Sequence, residues 1–406
     1  MEFKKKILEN GLTIIGEENH AAKSAAVGFF VKTGSRDENL DINGVSHFLE
    51  HMLFKGTDTL SALEVNEAFD RTGAKFNAFT SEEMTVYYAA ILPEYLGEVT
   101  RLWGQLMRPS LRDDDFAMEK NVIMEEIAMY KDMPHFDVMD KCKSLYFDGH
   151  PCGYSVLGSV DGVKRLSAEQ MREYFSRRYV PGNIVAAVSG KLDFDEVCGI
   201  IEQTCQGWQE LEAPREISDH VGKMQSQRVC KDNLACEHLC LMSRCVSVQN
   251  SRRFAAAVLA SIIGDSVGSR FFWELVDKAI AETASMHANT MDGTGAFYSY
   301  IRCPSDNVDM VMDILRGIFS ELDRNGVSEQ ELMTAKNKIL SELVIKNELP
   351  MGRLLDLGFN WMYLGEYRKV QDDISAIKAV STEDVNSLIR EMKPGEFTLY
   401  CIGPAN

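Results

Sequence analysis

Residues 43–57 read Asn43-Gly44-Val45-Ser46-His47-Phe48-Leu49-Glu50-His51-Met52-Leu53-Phe54-Lys55-Gly56-Thr57. At about 100° per residue, the apolar side chains of this stretch share one arc of a helix, while His47, Glu50 and His51 fall on the opposite face. Two histidines four residues apart lie one above the other, so both imidazoles can reach one metal ion. The stretch therefore predicts a helix that is capped by Asn43, ends near Gly56, and presents a metal-binding face.

A plainer interpretation is a pair of buried histidines that happen to adjoin a surface glutamate. The whole chain of 406 residues contains only 8 His, so such a coincidence is the less favoured reading of this spacing.

Length and composition limit the classes of protein that the chain can belong to. At 406 residues the chain predicts two or more domains, and 45% hydrophobic and 26% charged residues are typical of a soluble globular protein. The net charge of −18 argues against nucleic acid as a partner. No apolar run reaches the length of a membrane span, so no membrane partner is expected. The 10 cysteines are scattered without a disulfide framework, which favours reduced thiols and a cytoplasmic location.

The second half of the chain repeats the order of the first. Residues 285–302 resemble 74–91, with two strand-like runs around a polar turn. Each copy continues through a proline that opens a helix to a Lys-Asn pair, at Lys120-Asn121 and at Lys336-Asn337. This agreement predicts an α+β fold of two tandem homologous α/β units, each a mostly antiparallel sheet with packed helices.

The predicted halves are residues 1–210 and 229–406, joined by a linker at 211–228. The counterpart of the His47 helix is the run Phe254–Ile263, which contains no His, Glu or Asp. We therefore expect the first half to hold the metal and the second half to lack metal ligands.

A third protein ligand is expected on the predicted helix 113–131. Two histidines and one carboxylate leave the fourth position of a catalytic Zn²⁺ site for water. Glu119 and Glu126 are seven residues apart and face nearly the same way, whereas Glu125 points aside. We choose Glu126 as the ligand, with Glu119 behind it as a supporting or auxiliary catalytic carboxylate. The alternative is a solvated acidic helix face.

Three features together resemble a known family. The H-x-x-E-H pattern at His47–His51 is the inverse of the H-E-x-x-H signature of zinc proteases. With the Glu119…Glu126 segment and the duplicated halves, the chain resembles the pitrilysin-type (inverzincin) zinc metallopeptidases over essentially its whole length. That family includes the mitochondrial processing peptidases, insulin-degrading enzyme and short bacterial members.

The resemblance implies roles for the residues of this chain. It implies Zn²⁺ held by His47, His51 and Glu126, with Glu50 as the general base. It also implies that Asn77, Ala78 and Phe79 form an edge strand that binds the backbone of a peptide substrate. One chain would then supply half of a clamshell peptidase chamber, as a homodimer or as a heterodimer with a homologous subunit.

The chain departs from the family at one point. Active relatives commonly carry an Arg and a Tyr, seven residues apart, after a segment like Ser269–Val276. The ungapped positions here hold Asp277 and Ala284, which cannot orient a substrate carbonyl or stabilise an oxyanion.

Two functions therefore stay open. One is a zinc-dependent metalloendopeptidase that hydrolyses peptides or unfolded protein segments with a water activated by Glu50. The alternative is a weakly active or non-peptidase zinc-binding subunit that needs a homologous partner chain.

Overall fold

The computed structural model describes residues 2–232 and 234–405. Within these residues the chain forms eleven strands, numbered in chain order: β1 Glu2–Ile7, β2 Thr13–Glu18, β3 Ala25–Val31, β4 Lys75–Thr80, β5 Thr85–Ile91, β6 Ile184–Gly190, β7 Ser226–Cys230, β8 Cys236–Arg244, β9 Thr283–Thr290, β10 Gly295–Pro304 and β11 Phe397–Gly403.

The same residues form fourteen α-helices: α1 Val45–Leu53, α2 Ala62–Thr72, α3 Leu96–Leu106, α4 Asp113–Lys131, α5 Pro134–Phe147, α6 Val160–Arg165, α7 Ala168–Arg178, α8 Phe194–Cys205, α9 Arg253–Gly264, α10 Val308–Asn325, α11 Glu329–Glu348, α12 Pro350–Leu364, α13 Val370–Ala379 and α14 Thr382–Met392. A π-helical turn lies at Phe272–Val276. Each of these helices is too short or too polar to span a lipid bilayer.

The elements group into two compact units. Unit 1 contains the chain up to Ala128, with Tyr154–Glu216 and Val344–Arg368. Unit 2 contains Met129–Gly153, Ile217–Leu343 and the chain from Lys369 onward. The expected fold class, an α+β chain with two mostly antiparallel sheets and packed helices, is confirmed.

Unit 1 is built on a six-stranded sheet in the order β1-β2-β6-β3-β5-β4. Only β2 and β6 pair in parallel among the described strands of this sheet. Successive side chains of a strand point to opposite faces. Phe29 accordingly packs into the larger core with α1, α3 and α8, and Phe30 packs on the other face against Leu354 and Leu357 of α12. Strand β3 is buried along its whole length because helices cover both faces.

Unit 2 is built on a five-stranded sheet in the order β7-β11-β8-β10-β9. Its larger core lies between this sheet and the helices α9, α10 and α14. The opposite face of the sheet is covered by α5, through Val138, Cys142 and Tyr146. Within the unit, β7 and β9 are the two edge strands.

The boundaries of the units differ from the halves predicted at 1–210 and 229–406. Helix α5 precedes residue 210 but belongs to unit 2, and α12 follows residue 229 but belongs to unit 1. Residues 211–216 of the predicted linker lie in unit 1, and β7 begins inside that linker at Ser226. The physical reason is that both sheets carry apolar side chains on two faces, so each needs a covering helix that its own stretch of sequence does not supply.

Candidate metal centre

Helix α1 forms as predicted, but its N-terminus is capped differently. The first residue before the helix is Gly44, with φ 99°, where a Cβ would lie 2.8 Å from the carbonyl oxygen of Leu157. The prediction that Asn43 caps the helix is wrong, because the side-chain amide of Asn43 donates to the Glu38 carboxylate at 2.8 Å. Glu38 also accepts the backbone N–H of Gly44 and of Ser46, each at 2.7 Å. A carboxylate from an upstream loop therefore takes the place of a capping side chain.

Glu38 is a buried acid at the positive end of a helix. Burial raises its pKa to about 7, although the hydrogen bonds from Gly44 and Ser46 favour the charged form. Ser46 is held from a second direction, because its Oγ lies 2.8 Å from the Tyr174 hydroxyl. The start of α1 is thereby fixed one residue before His47.

The structure brings the three predicted ligands together. One ligand atom from each of His47, His51 and Glu126 lies within 4.8 Å of the other two. Oε2 of Glu126 is 3.7 Å from Nε2 of His47 and 3.5 Å from Nε2 of His51. A tetrahedral zinc ion with bonds of about 2.0–2.1 Å sets neighbouring ligand atoms roughly 3.4 Å apart. The spacing of these side chains is therefore suited to zinc.

The chemistry of the donor set also fits a divalent cation. Oε2 of Glu126 is buried and makes no hydrogen bond within residues 2–232 and 234–405. Burial raises the pKa of Glu126, although the nearby His51 opposes this shift. A buried carboxylate oxygen directed at two imidazole nitrogens is costly unless a cation compensates it. The residues present thus fit Zn²⁺.

Glu119 orients one of the imidazoles. Its Oε1 lies 2.8 Å from Nδ1 of His51, and its Oε2 pairs with the ammonium group of Lys55. Burial would raise the pKa of Glu119, but the hydrogen bonds of His51 and Lys55 outweigh burial and keep it below its ordinary value. A carboxylate on Nδ1 leaves Nε2 of His51 directed at Glu126, the usual arrangement behind a metal-bound histidine.

Glu50 lies on the same helix as the histidines and is not one of the three converging groups. Its Oε2 accepts a hydrogen bond of 2.6 Å from the hydroxyl of Thr80. Burial raises the pKa of Glu50, and the Thr80 hydrogen bond offsets part of the rise. Glu50 is therefore a half-buried acid held at one oxygen beside the candidate metal ligands.

Asn77, Ala78 and Phe79 lie on β4, which pairs only with β5 among the described strands and so forms an edge of the sheet. Asn77 is exposed, and its Oδ1 accepts the N–H of Ala78 at 2.9 Å. Ala78 packs into the larger core, and Phe79 packs on the other face of the sheet, toward Phe359. The outer side of the strand pairs with no other described strand.

The positions expected for Arg and Tyr lie in unit 2. Asp277 follows the π-helical turn, and Ala284 is buried within β9. The neighbouring residues, Val276 and Thr283, supply no guanidinium or phenol either.

Three residues of the site were missed by the sequence reasoning: Glu38, Lys55 and Thr80. Only Lys55 had a signal, since it follows His51 by four residues and lies near the same helix face. Glu38 and Thr80 act through contacts that the spacing of the motif does not reveal.

Comparisons with known proteins cover nearly the whole chain. A family model described as insulinase (peptidase family M16) matches residues 13–160. A second model, described as the peptidase M16 inactive domain, matches residues 165–339. An uncharacterized zinc protease of Bacillus subtilis is 30% identical over 411 residues, which cover 99% of this chain and 98% of the relative. An uncharacterized zinc protease of Mycobacterium tuberculosis (strain H37Rv) is 30% identical over 404 residues, covering 98% of this chain and 92% of the relative.

Solved structures show the same fold. A protease from Helicobacter pylori matches with a TM-score of 0.91 at 20% identity, covering 99% of each chain. A peptidase M16 inactive domain from Pseudomonas fluorescens matches with a TM-score of 0.92 at 17% identity, covering 100% of this chain and 98% of that one.

Proposed function

The chain belongs to the insulinase family of peptidases, family M16, and on that premise we propose that it is a zinc-dependent metalloendopeptidase. The proposed substrates are peptides or unfolded protein segments. One observation carries the proposal: His47, His51 and Glu126 converge on a single point. Glu50 lies beside the two histidines on the same helix, α1. The earlier resemblance to the pitrilysin-type family is confirmed at the level of the family.

The proposed ligands are His47, His51 and Glu126. Bound there, Zn²⁺ would supply a Lewis acid that polarises a carbonyl and lowers the pKa of a water. Glu119 keeps His51 in the orientation that directs Nε2 to the site, and Lys55 holds Glu119 in turn.

Glu50 is the proposed general base. Oε2 of Glu50 accepts the hydrogen bond from Thr80, while Oε1 makes no hydrogen bond to the described part of the chain. Oε1 is therefore the atom that accepts the proton of the attacking water and returns it to the leaving amine. The raised pKa of Glu50 matches this role, since a carboxylate with an elevated pKa is a stronger base.

The edge strand β4 is the proposed substrate-binding element. A peptide that pairs with the backbone at Asn77, Ala78 and Phe79 is held by main-chain hydrogen bonds rather than by its side chains. This mode of binding supports a broad preference for extended, unfolded segments.

A second candidate function is a weakly active or non-peptidase zinc-binding subunit. The absence of an Arg and Tyr pair at Asp277 and Ala284 favours it, as does the match of residues 165–339 to a domain described as inactive. Such a chain would need a homologous partner subunit that supplies the missing groups, whereas the endopeptidase would act as a homodimer or as a heterodimer with a homologous subunit. The cysteine pattern supports a cytoplasmic location for either function.

The test measures bound zinc and the cleavage of a library of quenched fluorescent peptides by the purified protein. Glu50→Gln should keep its zinc and lose turnover, while Glu67→Gln, at an exposed position of α2, should match the wild type. A wild-type protein that holds zinc but cleaves no peptide would exclude the endopeptidase and leave the subunit function.

A further inference from the structure

Thr80 connects the proposed substrate-binding strand to the proposed general base. It is the last residue of β4, and its Oγ1 donates the 2.6 Å hydrogen bond to Oε2 of Glu50. The two residues are thirty positions apart in the sequence. The same hydroxyl lies 3.5 Å from Oγ1 of Thr85, which itself donates to the carbonyl of Thr33 at 3.0 Å.

The backbone of Thr80 faces the open edge of the sheet. Just beyond the strand, the N–H of Ser81 bonds to the carbonyl of Met84 at 2.8 Å, so Ser81 and Met84 form a hydrogen-bonded pair. Along an antiparallel ladder, pairs whose backbones exchange hydrogen bonds alternate with pairs whose backbones do not. Thr80 and Thr85, the next pair, are therefore non-hydrogen-bonded, and the N–H and C=O of Thr80 point away from β5.

Ala78 lies two residues before Thr80, so its backbone N–H and C=O also point away from β5. Its N–H bonds to Oδ1 of Asn77 instead of to β5, as expected for a group on the open side of the strand. The Asn77 side chain thus satisfies a backbone donor that an added strand would otherwise bind.

We propose that Thr80 is a positioning residue that couples the pairing of a peptide along β4 to the orientation of Glu50. Its backbone groups face the incoming peptide, and its side chain holds one oxygen of the carboxylate. A peptide that pairs as far as Thr80 fixes the end of the strand, and with it the direction of the free Oε1. This inference rests on the proposed function, because it assigns a role within that reaction.

The decisive variants are Thr80→Val, which keeps the shape and removes the hydroxyl, and Thr80→Ser, which keeps the hydroxyl. Thr290→Val is a matched control, since Thr290 is likewise the last residue of an edge strand, β9 in unit 2. Zinc content, kcat and KM are measured for each protein. Losing a hydrogen bond to a charged group lowers kcat by about tenfold to a hundredfold in Thr80→Val.

The expected pattern is a lower kcat for Thr80→Val with unchanged KM and zinc content, with Thr80→Ser and Thr290→Val close to the wild type. A merely structural role would lower zinc content or alter KM together with kcat. The proposal is overturned if Thr80→Val keeps the wild-type kcat, or if Thr80→Ser is as impaired as Thr80→Val.

A second readout needs no activity. Crystal structures of the metal-free wild type, Thr80→Val and Thr80→Ser show where the Glu50 carboxylate lies. The proposal expects it to be displaced only in Thr80→Val, and an unmoved carboxylate overturns it. If the wild type cleaves no peptide, the proposed endopeptidase fails by itself, and these structures still decide whether Thr80 positions Glu50.

Discussion

Nδ1 of His51 and Oε1 of Glu119 lie 2.8 Å apart, although 67 residues separate them in the chain. Glu119 is buried and is held on its other oxygen by Lys55. The carboxylate therefore has no freedom to turn away from the imidazole, and the imidazole directs its other nitrogen at Glu126.

This contact predicts that Glu119 supports zinc binding without being a ligand. Glu119→Gln should weaken zinc affinity by about tenfold to a hundredfold, because the charge that orients His51 is removed. Competition with a chromogenic chelator measures the affinity. Glu125→Gln, an exposed neighbour on the same helix, should bind zinc as the wild type does. Equal affinities for both variants would mean that the contact does not support the metal.

The duplicated chain provides an internal control for Glu126. When Lys120-Asn121 is aligned with Lys336-Asn337, position 126 of the first copy corresponds to position 342 of the second, and both positions hold glutamate. Glu126→Gln should lower the bound zinc well below one ion per chain. Because a bound ligand stabilises the folded state, adding a chelator should also lower the Tm of this variant less than the Tm of the wild type. Glu342→Gln should change neither value. A zinc content unaffected by Glu126→Gln would remove Glu126 from the ligand set.

The buried carboxyl group of Glu38 should make the stability of the protein depend on pH. Its folded-state pKa of about 7 lies above its ordinary value of 4.5, so between these values the folded chain binds a proton that the unfolded chain has released. Stability falls with rising pH wherever the unfolded state binds fewer protons. Relative to Glu38→Gln, the free energy of unfolding of the wild type should fall by about 3 kcal/mol from pH 4.5 to 7 and then level off.

Urea unfolding of both metal-free proteins across this pH range measures the difference. Titration of His47, His51 and Glu126 is common to both proteins and cancels. Parallel stability curves for the two proteins would show that Glu38 does not titrate in this range.

A buried ion pair ties α12 to the sheet of unit 1. Nε of Arg353 and Oε2 of Glu17 are 2.5 Å apart, and each side chain is 2% exposed. Arg353→Met should destabilise the protein by about 3–5 kcal/mol, because it leaves Glu17 charged and buried. Adding Glu17→Gln should recover part of this loss. Arg390→Met breaks the exposed pair with Glu383 and should cost less than about 1 kcal/mol.

Denaturant unfolding of the wild type and these three variants compares the costs. If Arg353→Met and Arg390→Met are equally mild, α12 does not depend on its buried pair for attachment to the sheet.

Local patterns of the sequence predicted the elements that carry the site. Helix α1 follows from the 3.6-residue period of its apolar side chains, and strand β4 from a strand-like run beside a polar turn; both patterns depend on neighbours in the chain alone. The same reasoning placed Glu119 and Glu126 on one face of α4. It was wrong about the cap of α1: Asn43 is a suitable residue type but lies one residue before the N-cap Gly44, and the actual acceptor, Glu38, arrives from a loop.

By itself, the sequence determined the family, the two sheets, and a helix face that presents His47, Glu50 and His51, because helical periodicity and the motif are local properties. Only the tertiary structure decided that Glu119 contacts His51 while Glu126 faces both imidazoles, that Thr80 holds Glu50, and that α5 and α12 cover sheets distant in sequence. Those relationships arise from packing between segments far apart in the chain, where burial and hydrogen bonding select the partners.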